Sequence, residues 1–273
     1  MAKPLKLLYT RTYVEGLAAS CEAASRGFDG PAFVGAVLGA SWKNLELKQR
    51  IRRISTRLAE HLPGEYPDQL THLTRVAPHY PGFLGLFFPD FVEVFGLDDF
   101  DASIPALQYF TTLSSSEFAV RPFIVRYEDR MMRVMREWAR HDNEHVRRLS
   151  SEGCRPRLPW GIALQKFKAD PAPILPILER LRADPSEYVR RSVANNLNDI
   201  VKDHPNLVLG IARRWLGQSA ATDQLVKHAC RTLLKRGAQQ ALELFGQHDA
   251  VPVRARLTLA ETTISIGGKL HFD

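Results

Sequence analysis

Cysteine is scarce in this chain, and the patterns that would give it a structural task are missing. Three occur in 273 residues, Cys21, Cys154 and Cys230. They stand far apart, with no CxxC pair and no Cys/His ligand spacing. That argues against a zinc site or a disulfide framework and for reduced thiols in a cytoplasmic protein. Nine histidines form no HExxH or comparable motif, so no metal is expected. The acidic residues do not gather into the cluster that magnesium-dependent phosphoryl transfer needs, which counts against a nuclease. Long apolar runs are also lacking. The greasiest stretch, GFLGLFFPDFVEVFG from Gly82 to Gly96, is broken by Pro89, Asp90 and Glu93. It is too short and too charged to span a membrane and predicts buried helix packing. Met1 to Leu8 holds two lysines and no long apolar core, so no secretory signal is read there.

What is present is ordinary globular material with a cationic surplus. The hydrophobic fraction is 45% and the charged fraction 25%, values usual for a folded domain. Lys and Arg total 37 against 30 Asp and Glu, a formal charge of +7. A surplus of that sign favours an anionic partner, most often nucleic acid.

Helical periodicity runs through nearly everything before residue 250. Leu47, Ile51, Ile54 and Leu58 make one apolar stripe, with Lys48, Arg50, Arg52, Arg53 and Arg57 around it. Tyr127, Met131, Val134, Met135 and Trp138 make a second, and Ile174, Leu175, Ile177, Leu178 and Leu181 a third. Trp42, Trp138 and Trp215 sit in such stripes and are expected to pack. A longer regularity lies above this one. Val120, Val146, Val189 and Val226 each follow a polar cap and precede a cation, and the last three recur at about 40 residues, the period of HEAT or armadillo helix pairs. Such pairs bury their apolar sides only by stacking, which creates a concave surface lined by one helix per repeat. The expected fold is all-α, a HEAT-like helical-repeat solenoid over residues 1–248. From Val251 the pattern changes to period two, with Gly267-Gly268 as a turn. Residues 249–273 are therefore expected to form a short, incomplete β segment.

The segment YVRRSVANNLNDIVKDHP, Tyr188 to Pro205, carries the most information. On a helical wheel Val189, Val193, Leu197, Ile200 and Val201 share one arc. Arg191, Ser192, Asn195, Asn198, Asp199 and Lys202 fill the other. A carboxylate among amides and cations suits acid chemistry on an anionic polymer; the plainer interpretation is a solvated helix face. Glu152 stands six residues after Val146, as Asn195 does after Val189. If the helices stack as repeats, Glu152 and the Asn195/Asp199 edge project in similar directions.

EHVRRLSSEGCRPRLPW (Glu144 to Trp160) and SEYVRRSVANNLNDIVKDHP (Ser186 to Pro205) resemble the signature segments of the AlkC branch of bacterial DNA alkylation repair glycosylases. The similarity begins at PLKLLYTR, passes through LELKQRIRR and continues to about residue 245. Some members of that branch continue into an immunoglobulin-like β-domain, whose opening the tail here resembles.

The resemblance implies hydrolysis of the N-glycosidic bond of cationic alkylated bases of the 3-methyladenine type, without a base-flipping pocket. A cationic base is already a good leaving group, so the protein has to steady positive charge developing on the deoxyribose. Asp199 is the leading carboxylate and Glu152 the second. Trp160, in the proline-stiffened loop CRPRLPW, offers an indole face for that cation. A Glu at the position of Glu117 contributes to the site in the family, yet Ser114-x-x-Glu117 also reads as a capping box, and both interpretations stand. Arg148, Arg155, Arg157, Lys166, Arg191, Asn195, Lys202, Lys227 and Arg231 are the candidate DNA contacts, positioning the duplex through its phosphates. The expected partner is double-stranded DNA with alkylated bases, bound by a monomer with no cofactor, no metal and no membrane. The alternative is a non-catalytic HEAT-like scaffold that binds nucleic acid or protein.

Overall fold

The structure, a computed structural model, describes residues 4–246. The expected β segment and the Gly267-Gly268 turn lie outside the described residues. Within them the secondary structure is entirely helical. The first six helices are α1 (Arg11–Ala24), α2 (Gly30–Val37), α3 (Leu47–His61), α4 (Tyr66–Val76), α5 (Phe87–Phe95) and α6 (Phe100–Leu113). Next come α7 (Val120–Arg126), α8 (Glu128–Trp138), α9 (Glu144–Glu152), α10 (Gln165–Ala169) and α11 (Leu175–Leu181). The last five are α12 (Glu187–Ile200), α13 (Pro205–Trp215), α14 (Ala220–Ala229), α15 (Arg231–Lys235) and α16 (Gln239–Leu244).

Local chemistry explains six of the sixteen starts among the described residues. Thr10, Asp29, Asp99, Asn143 and Ser219 each accept a bond from a backbone N–H of the first turn of α1, α2, α6, α9 and α14. Those bonds satisfy donors a helix leaves open. Glu46 and Gln49 form a reciprocal capping box on α3. The box that Ser114 and Glu117 could have made does not form. α6 runs on to Leu113, so Ser114 closes that helix and α7 starts only at Val120. Glu117 falls in the connection and is left for other partners.

Two helical rows build the second half. α9, α12 and α14 lie side by side, with α6 flanking α9, and α8, α11 and α13 back them. This is the layered stacking of helix pairs that the valine spacing predicts. Val120, Val146, Val189 and Val226 are all buried at the seam, as are Trp42, Trp138 and Trp215. The run from Gly82 to Gly96 folds as a turn followed by α5, whose Phe87, Phe88, Phe91 and Val92 are buried. Among the described residues no helix is long and apolar enough to cross a membrane. All three cysteines are buried and free.

One expectation about α12 is corrected by the packing. Ser192, Asn198 and Asp199 are not on an open polar face; each is 5% exposed or less. A helix in the middle of a stacked row is covered on three sides, by the backing row and by both neighbours. Its polar residues therefore become inter-repeat bonds. Ser192 Oγ meets Ser151 Oγ of α9 at 2.6 Å, and Thr232 Oγ1 of α15 donates to Asn198 Oδ1 at 2.8 Å.

Candidate active site and nucleic-acid interface

The end of α9 and the loop that leaves it bring the acidic residues together. Glu152 is the last residue of α9 and is 5% exposed. Ser192 Oγ of α12 donates to its Oε2 at 2.6 Å. Arg155, three residues on, donates Nη1 to Glu152 Oε1 at 2.7 Å and Nε to Asp199 Oδ2 at 2.9 Å. Arg148, one turn earlier on α9, places Nη2 3.5 Å from Glu152 Oε1 and forms an ion pair with Glu117. Ser115 completes that corner: its hydroxyl donates to Glu117 Oε2 at 2.9 Å and accepts from Arg148 Nη1 at 3.0 Å. Lys202 Nζ lies 3.4 Å from Asp199 Oδ1.

Three carboxylates and three cations thus form one network at the junction of α9 and α12. Burial opposes the charge on Arg155, yet Glu152 and Asp199 outweigh it and raise its pKa. For Arg148 burial again opposes, and Glu152 and Glu117 again win. Both guanidinium groups are held charged, and the acids they face gain close charge-assisted bonds.

An open cleft runs beside this network. It is lined by Phe83 and Phe118, by Glu117, Arg148 and Glu152, by Leu158, Pro159 and Trp160, and by Tyr188. The structure therefore brings three of the four catalytic candidates, Glu117, Glu152 and Trp160, to one hollow, together with Arg148 and Arg155. Asp199 does not line it. It is 2% exposed and stands behind Arg155. The helical wheel of α12 placed it on the polar side without showing that the neighbouring repeat would cover it.

Trp160 is the most unusual residue of the cleft. Its indole is 62% exposed. Its φ of 65° makes it the one non-glycine residue in the left-handed region among those described. That conformation costs a bulky residue about 1–2 kcal/mol, and strain of this kind clusters where function uses it. The loop CRPRLPW has a hold besides its prolines, because Lys48 Nζ of α3 donates to the Trp160 carbonyl at 2.7 Å.

The proposed DNA contacts divide into two sets. Arg155 is not at the surface where a phosphate contact was expected: it is 7% exposed and committed to two acids. Arg148 is committed in the same way, with only its edge toward the cleft. The others stay accessible. Arg157 pairs with Asp203, Lys166 with Glu128 and Arg191 with Glu187 in partly or fully exposed ion pairs, which are weak in water. Lys202 and Lys227 are exposed on α12's end and on α14.

A second groove separates α12 from α14, lined by Arg190, Arg191, Asn195, His228 and Arg231 among others. Asn195 Oδ1 accepts from Arg231 Nη2 at 3.1 Å, and His228 Nε2 lies 3.1 Å from the same oxygen. Since an amide oxygen only accepts, that ring nitrogen is the protonated one. Burial, then Arg231 and Arg191, push the His228 pKa below its ordinary value. The groove therefore has cationic walls, with Glu187 the acidic residue among those that line it.

Several contributors had no clear sequence signal. Tyr188 lies under the Arg148 guanidinium, with Cζ 5.3 Å from its ring centroid. Phe83 comes from the turn before α5 and Phe118 from the connection between α6 and α7, both remote in sequence from α9 and α12. Lys48 was visible only as one of several cations around the α3 stripe. Among the described residues no group of His, Cys, Asp and Glu is arranged to hold a metal ion.

Comparison with known proteins agrees with this fold. The HEAT repeat family profile matches residues 174–204, the stretch that spans α11 and α12. The uncharacterized protein YhaZ of Bacillus subtilis (strain 168) is 46% identical over 270 residues, covering 98% of this chain and 76% of YhaZ. Among solved structures, Pseudomonas fluorescens alkylpurine DNA glycosylase AlkC, bound to DNA containing an abasic site analog, superposes with a TM-score of 0.86 at 42% identity. That match covers 90% of this chain and 69% of the other.

Proposed function

On the premise that the chain belongs to the AlkC branch of the AlkC/AlkD family of HEAT-like-repeat DNA alkylation repair glycosylases, we propose that it removes cationic alkylated purines, of the 3-methyladenine type, from duplex DNA. The observation that carries this reading is the convergence of Glu117, Glu152 and the exposed, left-handed Trp160 on one cleft walled by arginine. It suits a substrate that is an anionic polymer carrying a local positive charge.

The reaction is hydrolysis. The electrons of the C1′–N bond pass to the cationic base, which leaves neutral, and C1′ becomes electron-poor. Water adds at C1′ and gives up a proton to a carboxylate. Glu152 and Glu117 are the acids that face the cleft, and their fixed charge steadies the developing oxocarbenium character more in the transition state than in the ground state. The indole of Trp160 adds cation–π attraction of about 1–2 kcal/mol when water is displaced. Asp199 acts one layer further in: it holds Arg155, which in turn holds Glu152 in place. An open cleft leaves the lesion reachable from the groove without extrusion of the base.

The duplex is carried by its phosphates. The α12/α14 groove, with Arg191, Asn195, His228 and Arg231, takes the backbone on one side of the cleft, while Arg157, Lys166, Lys202 and Lys227 add exposed charge. We expect a monomer to suffice, because each of these groups lies on one chain.

Incubating the protein with methylated duplex DNA at low salt and following free 3-methyladenine tests the proposal. Release that needs Glu152 supports it. No release from a duplex the protein binds leaves the non-catalytic scaffold as the reading.

A further inference from the structure

The Trp160 loop is gripped by its backbone, from two directions. Arg121 of α7 is wholly buried. It donates Nε to the Ile162 carbonyl at 2.6 Å and Nη1 to the Gly153 carbonyl at 2.8 Å. Those carbonyls stand at the two ends of the segment that carries Arg155, the prolines and Trp160. Burial lowers the Arg121 pKa to about 10, and its Nη2 has no hydrogen-bond partner. A buried guanidinium with two carbonyl partners and one idle nitrogen is a costly way to fill space.

Lys48 supplies the second grip. From α3 its Nζ reaches the Trp160 carbonyl at 2.7 Å, 5.2 Å from the Phe118 ring centroid. The carbonyls on either side of Gly161 are therefore each taken by a cation rooted in a different helix. Gly161 itself leaves room for this, since a Cβ there would lie 3.1 Å from Arg121 Cδ. A left-handed tryptophan persists only where its surroundings over-determine it, and these two cations bond the backbone at Trp160 and two residues on.

We propose that Arg121 and Lys48 are positioning residues that fix Trp160 in one orientation toward the cleft by capturing the backbone of its loop. The effect on catalysis rests on the glycosylase reading; the effect on the loop does not.

Arg121→Lys, which cannot span both carbonyls, and Lys48→Met, on an exposed side chain, test it, with Lys48→Arg as the conservative control. Trp160 is 62% exposed while Trp42, Trp138 and Trp215 are at 8% or less. Iodide reaches the exposed indole first, so the quenchable fraction of the emission, and the anisotropy of that fraction, report on Trp160. Single-turnover release from methylated duplex is expected to fall at least about tenfold in both variants, because small misplacements of a reacting constellation cost that much. Duplex affinity should stay within about twofold, anisotropy should drop, and Lys48→Arg should restore both readouts. Parental rates in both variants would overturn the assignment. So would a slower rate with unchanged quenching and anisotropy, which marks a change elsewhere in the fold. A salt slope reduced by about one in Lys48→Met would make Lys48 a phosphate contact and overturn its part. Should the parent protein release no base, the glycosylase reading fails, and the emission measurements still decide whether these cations hold the loop.

Discussion

Arg155 screens Asp199 from the cleft: its Nε donates to Asp199 Oδ2 at 2.9 Å, from a position in the loop that follows α9. The same guanidinium binds Glu152 through Nη1. One cation thus joins the acid that faces the cleft to the acid behind it. The first consequence concerns stability. Arg155→Met leaves two buried carboxylates short of a partner, and the expected loss is about 3–5 kcal/mol. Urea unfolding measures it; a loss under about 1 kcal/mol would show that the network contributes little.

Glu152→Gln and Glu117→Gln remove the charges nearest the reacting sugar while keeping their shape. Each should slow base release by at least about tenfold, the size of effect seen when one preorganised electrostatic group is removed. Asp199→Asn should slow it as well, by freeing Arg155. Binding of undamaged duplex, measured by fluorescence anisotropy, should change little in all three. If the three variants release base at the parental rate, the catalytic face is elsewhere.

Trp160→Gly separates function from stability. Glycine adopts a φ of 65° without strain, and the exposed indole buries little surface. Folding stability is expected within about 1 kcal/mol of the parent, while base release falls by roughly tenfold through loss of the cation–π face. A large drop in the unfolding midpoint would mean that the indole is structural.

His228 gives a pH signature. Its pKa in the free protein is held down by burial, Arg231 and Arg191. A phosphate in the α12/α14 groove favours the imidazolium, so binding raises that pKa and takes up a proton. Duplex affinity should therefore rise as pH falls through the window between the two values, below about 6.5 for the free side. His228→Gln should flatten the profile. The free protein responds with the opposite sign. A histidine depressed in the folded state is protonated first in the unfolded chain, so its contribution to stability is lost on acidification.

Lys227→Ala and Arg231→Ala should each lower the salt dependence of duplex binding by about one unit of slope, without changing preference between sequences. Equal slopes in parent and variant would remove the residue from the phosphate contacts.

How much of this was legible in advance differs from residue to residue. The buried valines, the tryptophan anchors and the stacking of helix pairs follow from periodicity, because a repeat that cannot cover its own apolar side announces its neighbours. The segments around Glu152 and Asp199 carried the family likeness. Glu117 was left open by the sequence, since a capping box and a site acid use the same spacing; the length of α6 resolved it toward Arg148.

The order of residues along the chain was enough to specify which stripes are apolar, that the helices pair and stack, and which short segments hold the acids and the tryptophan. Those properties are local, set within a turn or one repeat. Side-by-side contact of α9 with α12 had to exist before Asp199 could be buried, Arg155 drawn inward from the surface, and Ser192 turned onto Glu152. Likewise, nothing local links Lys48 to Trp160, 112 positions away, or Arg121 to Ile162. Those bonds depend on which helix ends beside which loop, and an electrostatic network has its character only once water has been excluded from between its members.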